Sequence, residues 1–271
     1  TIIYGKNEPF FYADQYTKVE NYNASILELK RYLFFNQNDS TNYKIYHKIS
    51  QNYLKLKKWD YAIDYNQKAY LLAPNNIIKE QIQFEKATIY LLNGNMDKAN
   101  LILSKIELFS ESSEIIKKTY FFLGLTYLYK NQFEESKKNF NKYFGNSYND
   151  SLDCIFSQFD SGRIKSPKTA RILSTILPGL GQVYAEDYKN GINALLINIL
   201  TSYFLIESIA NKKYIDAIIS YITPFERYYT GNIANSEKIT NLYNEKYYSK
   251  NKELIIEEIM KLDYKIDKIT N

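Results

Sequence analysis

Leu152, Ile155, Phe156 and Phe159 recur at the three- and four-residue steps of a helix with one buried face, and they predict an amphipathic helix from Ser151 to Asp160. The same period returns after Ser236, where Ile239, Leu242 and Tyr243 make one apolar face and Leu254, Ile255, Ile259 and Leu262 make another. Ahead of both, the pattern carries a second, longer period. Stepping by about 37 residues brings Tyr16, Tyr53, Tyr90 and Tyr127 into phase, each preceded by a small residue at Ala13, Ser50, Ala87 or Gly124. Large apolar residues follow at Tyr22, Trp59, Met96 and Phe133, then small ones at Ser25, Ala62, Ala99 and Ser136, then Tyr32, Ala69, Ile106 and Tyr143. Tyrosine is common here, 28 in 271 residues, yet four in phase at any one position arise by chance only about once in ten thousand.

Small residues let two helix backbones approach while large ones fill the groove between them, so each unit predicts an antiparallel helical hairpin. Polar breaks at Glu20-Asn21, Lys57-Lys58, Asn93-Gly94-Asn95 and Lys130-Asn131-Gln132 supply the turns, with Gly94 suited to a left-handed helix end. These residues resemble the tetratricopeptide repeats. The unit Ile45 to Asn76 is closest, through Ile49, Ser50, Tyr53, Leu56, Trp59, Ala62, Ala69 and Pro74. The fourth unit matches through Leu123, Gly124, Tyr127, Phe133, Phe140 and Tyr143, whereas the first and third are degenerate, with Lys86 where an apolar residue is expected.

The resemblance covers about residues 8–146 and implies an all-α fold: a right-handed α-solenoid of four helical hairpins, capped by the 151–160 helix, whose concave face holds a partner peptide without catalysis. If that geometry carries over, the first helix of each unit lines the groove. Its inward residues are Lys44, His47, Gln51 and Leu54, then Gln81, Phe84, Thr88 and Leu91, then Lys118, Phe121, Leu125 and Leu128. A lining this apolar suits a protein partner with an apolar or aromatic segment better than a peptide carboxylate. The alternative occupant is the protein's own C-terminal helices.

After residue 162 the pattern changes. Arg163, Lys165, Lys168 and Arg171 form a basic arm, and Pro167 is expected to break the helix there. Three apolar stretches follow: Ile172 to Ala185, Ile192 to Ala210 and Tyr214 to Phe225. The second would make a helix about 28 Å long, close to the roughly 30 Å of a bilayer core. Asn193, Asn198, Ser202 and Glu207 interrupt it with groups that need partners in lipid. Three readings stay open: a transmembrane or re-entrant hairpin, an interfacial helix pair, and the buried core of a soluble unit.

The run Leu177-Pro178-Gly179-Leu180-Gly181-Gln182-Val183-Tyr184, with Gly191 beyond it, resembles the "PGLGQ" two-helix membrane domain that can follow tetratricopeptide repeats in bacterial envelope proteins. That resemblance covers about residues 168–210, with Glu186 standing where a Gly is expected. It implies a membrane-associated bacterial envelope setting, with the repeats facing the periplasm and a role in membrane-protein insertion or assembly. In physical terms Pro178 ends a helix, Gly179 and Gly181 admit a close backbone, and Gln182 can satisfy freed backbone groups. The expected organisation is a repeat domain over 1–162, a basic arm and apolar hairpin over 163–235, and C-terminal amphipathic helices over 236–271.

Composition narrows the chemistry. Hydrophobic residues make up 45% and charged ones 24%, so the chain should fold, and 9 Gly with 5 Pro leave too few turns for a barrel or sandwich. One His, His47, and one Cys, Cys154, exclude zinc sites built from several His and Cys, paired catalytic histidines and an internal disulfide. A net charge of +5 carried mostly by Lys disfavours sequence-specific nucleic-acid reading. No cofactor and no small-molecule substrate are expected. A start at Thr1 fits an export signal already removed as well as it fits a shortened chain, and the sequence does not choose between them. The expectation is therefore a non-enzymatic scaffold anchored at a membrane. Its rivals are a soluble helical protein whose groove is filled from within, and a hydrolase or transferase in the second half, which would need Gln182, Tyr184 and Glu207 to share a polar pocket.

Overall fold

A helix can reverse within two residues when the first adopts left-handed backbone, and this chain does so at the same step of every repeat. Glu20, Lys57, Gly94 and Asn131 have φ between 55° and 76°. The next N–H, from Asn21, Lys58, Asn95 or Gln132, donates to the carbonyl of Tyr16, Tyr53, Tyr90 or Tyr127 at 2.8–2.9 Å. Asn21 and Asn95 then cap the following helix by accepting from Ala24 N and Lys98 N.

In the computed structural model, which describes residues 8–37, 39–157, 159 and 161–270, these turns join helices in pairs. They are α1 (Glu8–Lys18) with α2 (Tyr22–Phe35), α3 (Asn42–Lys55) with α4 (Trp59–Leu72), α5 (Asn76–Leu92) with α6 (Met96–Phe109), and α7 (Ser113–Tyr129) with α8 (Phe133–Phe144). The described residues hold fourteen α-helices and no strand, so the fold is all-α. They divide into two compact units, Thr1–Asp153 and Cys154–Asn271.

Within the first unit, the small residues lie where the paired helices meet. Ala13, Ser25, Ser50, Ala62, Ala87, Ala99, Gly124 and Ser136 are all buried. Ser50 Oγ donates to Ala62 O and Ser136 Oγ donates to Gly124 O, at 2.7 and 2.8 Å, so the same contact is made with serine on either partner. A Cβ on Gly124 would lie 2.8 Å from the Phe140 ring, which explains why the fourth repeat has no side chain there. Lys86 keeps its position in the degenerate third repeat by donating to Gln67 Oε1 at 2.7 Å, while burial, helped by nearby Lys98, depresses its pKa.

Helix α9 (Asn149–Phe156) crosses the division between the units and is shorter than the expected 151–160 helix. Leu152, Ile155 and Phe156 are buried as its stripe requires, and Lys137 of α8 pairs with Asp153. Phe159 leaves the stripe and stacks on Tyr248, ring centroids 6.0 Å apart. Asp160 lies outside the described residues.

The second unit uses the same reversal twice more. α10 (Pro167–Ile176) begins where a break was expected: Ser166 accepts from Thr169 N and Pro167 takes the first position, where its missing N–H costs nothing. α11 (Leu180–Tyr184), α12 (Tyr188–Ala210) and α13 (Tyr214–Ser220) follow. Left-handed Glu186 and Lys212 sit at the two reversals, with Asp187 N donating to Gln182 O and Lys213 N to Ser208 O, both at 2.9 Å. Past α13 the chain does not stop. Pro224 has no N–H to donate, and the helix widens over Tyr221–Phe225 so that Glu226 N bonds Tyr221 O, five residues back. It then continues as α14 (Glu226–Thr270), which packs on α10 and α11 and runs through the expected 235/236 boundary without a break.

Candidate functional site

The repeat face joins successive first helices through pairs nearly one repeat apart. Lys48 on α3 donates to Asp14 on α1 at 2.6 Å, His47 on α3 bonds Glu85 on α5, and Phe84 on α5 meets Phe122 on α7 edge-on at 4.9 Å. His47 also faces Gln51 at 3.3 Å, so the single histidine is partnered. Glu85 was not among the expected groove residues. Its signal was its place 38 positions after His47, close to the repeat length.

Lys44, Gln51 and Lys118 are exposed, and Leu54, Phe84, Thr88, Leu91 and Leu125 are half-buried, leaving part of each surface open. One expected groove residue is taken up in the core, and a second, half-buried, is shared with the neighbouring helix. Leu128 is 0% exposed and is a core residue. Phe121 turns toward α8 and packs on Phe140 and Tyr143, at 5.6 and 5.0 Å, because the first helix of a hairpin must also fill the gap to its own second helix. A separate cavity of about 470 Å³, which sequence reading missed, opens between α4, α5 and α6, where Lys79, Lys86 and Lys105 stand beside Ile102 and Phe109.

In the second unit the glycines of the "PGLGQ" run form a joint. Gly179 is left-handed, φ 94°, and a Cβ there would lie 2.1 Å from Gly191 O. A Cβ on Gly181 would meet Ala170 O at 2.2 Å and Ser174 Oγ at 2.5 Å, and one on Gly191 would meet Val183 Cγ2 at 2.7 Å. Pro178 follows the last turn of α10 and delivers the chain to this crossing. Gln182 is fully buried at its centre. Its Oε1 accepts from Ser174 Oγ at 3.1 Å, and its Nε2 donates to Asn232 O and Oδ1 at 3.1 and 2.7 Å. One amide thus ties α10 and α11 to α14.

Tyr184 and Glu207 do not join Gln182. Tyr184 OH accepts from Ser166 N at 3.1 Å, and Glu207 is exposed on α12. Of the basic arm, Lys165 is folded inward: its Nζ donates to Tyr184 O at 2.8 Å and Glu186 Oε1 at 2.7 Å and lies 4.3 Å from the Tyr243 ring. Arg171 pairs with Glu237 at 3.4 Å, and Lys168 is exposed. The hydrogen bond from Lys165, reinforced by its charge, holds the Glu186 carboxyl below its usual 4.5.

Helix α12 is long and apolar enough to cross a membrane, and only 11% of its apolar window is buried. Ile192, Leu196, Leu200, Phe204 and Ile206 are exposed along it, as are Ile215, Ile218 and Ile222 on the returning leg. The reading of this stretch as a buried soluble core is therefore wrong for α12 within this chain, since a core helix hides most of its surface. Among the described residues no three of His, Cys, Asp and Glu converge as metal ligands. No protein-family model matches the chain, and no curated protein is significantly similar to it in sequence.

Proposed function

We propose that this protein is a non-enzymatic scaffold of tetratricopeptide type, held at a membrane by its α12–α13 hairpin. The observation that carries the reading is the apolar surface of α12, of which Ile206, 65% exposed, is one example among many. Exposed apolar residues are ordinary singly, but a continuous belt of Ile, Leu and Phe on both legs of a hairpin would drive aggregation in water unless lipid or protein covers it. At 23 residues α12 is about 34 Å long, enough for the roughly 30 Å of a bilayer core. Lys212 and Lys213 at the hairpin tip and Lys168 in the first turn of α10 supply cations suited to headgroups.

The first unit supplies the partner surface, open along Lys44, Gln51, Leu54, Leu91 and Leu125. A partner with an apolar or aromatic segment fits it, and a bacterial envelope setting with the repeats in the periplasm is what the "PGLGQ" resemblance adds. Flotation of the full chain with phosphatidylcholine vesicles tests the anchor. The protein should rise with the vesicles and stay bound in high salt, and Leu200→Lys should release it, because a Lys at mid-bilayer costs about 3 kcal/mol. A wild-type chain that stays monomeric at the bottom of the gradient without detergent overturns the proposal.

A further inference from the structure

Two of the four polar residues that interrupt α12, Asn193 and Asn198, come together, while Ser202 bonds back to the Asn198 carbonyl and Glu207 stands exposed farther along the helix. Asn190, Asn193, Ala194, Ile197 and Asn198 share one face of α12, at the three- and four-residue steps of a helix. Across from them Tyr228, Gly231, Asn232 and Asn235 share one face of α14, and between the two faces lies a cleft of about 310 Å³ that Gln182 also lines. Gly231 widens it, since a Cβ there would meet nothing within 4 Å. This is ligand-sized space.

The lining holds no charged residue. It offers amide donors and acceptors together, and two of its buried amides are incompletely satisfied: Asn198 Oδ1 lacks a donor and Asn232 Nδ2 lacks an acceptor. Both side chains are more than nine-tenths buried. A shielded amide atom left unpaired is costly. These two are closed to solvent in this conformation, so a ligand first meets the exposed amides of Asn193 and Asn235 and reaches the buried pair by a side-chain turn, where a group that both donates and accepts satisfies them. A charged ligand would lose hydration here and gain no counter-charge, whereas a hydroxyl donates and accepts at once.

We infer that the α12–α14 cleft is a binding site for an uncharged polyhydroxyl group of about hexose size. It lies along the first three turns of α12, where Ile192 and Leu196 of the apolar belt are exposed but do not line it, so a sugar headgroup lies in it with acyl chains along Ile197 and Leu200. Only the lipid source of the sugar rests on the membrane reading. The chemistry of the site does not.

The test compares thermal unfolding of the full chain in phosphatidylcholine nanodiscs with and without monoglucosyl-diacylglycerol, with phosphatidylglycerol as the anionic control and free glucose added to detergent-solubilised protein. The glucolipid should raise the transition by about 5 °C at saturation, and phosphatidylglycerol should not. Asn193→Leu and Asn235→Leu alter exposed positions that folding tolerates, and each should weaken the response about tenfold. A response to free glucose alone also supports the site and makes its ligand a soluble sugar. No response to either sugar by properly folded protein overturns the inference, as does an equal response to phosphatidylglycerol or an undiminished response in both variants. Failure to enter nanodiscs counts against the anchor, and the glucose arm then decides the site by itself.

Discussion

Glu186 shows at a single residue how local cost and tertiary gain are traded. A non-glycine residue at φ 64° is uncommon, and the "PGLGQ" resemblance leads one to expect Gly there. The structure gives the reason for the exception: the carboxylate that a Gly would lack receives Lys165 and the Tyr243 hydroxyl, at 2.7 and 3.3 Å. Because the folded carboxyl titrates below its usual 4.5, the pair's contribution is complete above that pH and is lost as pH falls through the depressed value. Urea titrations at about pH 7 and about pH 3 should show a larger acid loss of stability in the wild type than in Glu186→Gln. Lys57 is strained in the same way but has no comparable partner, so Lys57→Gly should raise stability by about 0.5–1 kcal/mol, whereas Gly94→Ala should lower it by a similar amount. Equal denaturant midpoints for all three proteins would refute that account. The turns were legible as polar pairs in the sequence; that Glu, Lys and Asn would share glycine's backbone was not, because the left-handed state of each is set by the helices it joins.

Among the elements, the hairpins of the first unit were readable because a small residue in a helix interface leaves the same mark each time the interface recurs. Ser50→Ala or Ser136→Ala removes a buried hydrogen bond to the facing backbone and should cost about 1 kcal/mol in chemical unfolding. Gly181 and Gly231 form a sharper contrast. Gly181→Ala forces a methyl group onto the Ala170 carbonyl and should cost about 2 kcal/mol, while Gly231→Ala places one in open space on a helix and should stabilise by up to about 1 kcal/mol. Equal effects would mean that the glycine joint is not tightly packed. What the sequence did not reveal was the continuity of α13 and α14. Pro224 and the polar run beyond it look like a stop, but a helix can pass a proline by widening one turn when its faces are packed on either side.

Viewed over the whole molecule, each half of the sequence disclosed a different kind of information. Periodicity identified helices and their pairing, yet it put the buried Leu128 in the groove and did not reveal that the half-buried Phe121 also packs on α8, because a helix that faces a groove also faces its own partner and a residue's spacing alone does not say which. The polar interruptions in Ile192 to Ala210 argued against lipid when counted one by one. Placed on the helix, Asn193 and Asn198 gather on one side, Ser202 bonds back to the Asn198 carbonyl, and Glu207 stands exposed near the far end, so they weigh less against lipid than their number suggests. Removing the amide side with Asn193→Leu should therefore leave flotation with vesicles unchanged, whereas Leu200→Lys abolishes it; comparable losses in both would show that the faces are not distinct. The unbroken α14 carries a mechanical corollary. Forty-five residues of helix rising from the widened turn make a strut about 68 Å long, so a tilt of only about ten degrees at its root sweeps the far tip sideways by roughly 12 Å, and anything that gripped that tip would register how the foot is seated.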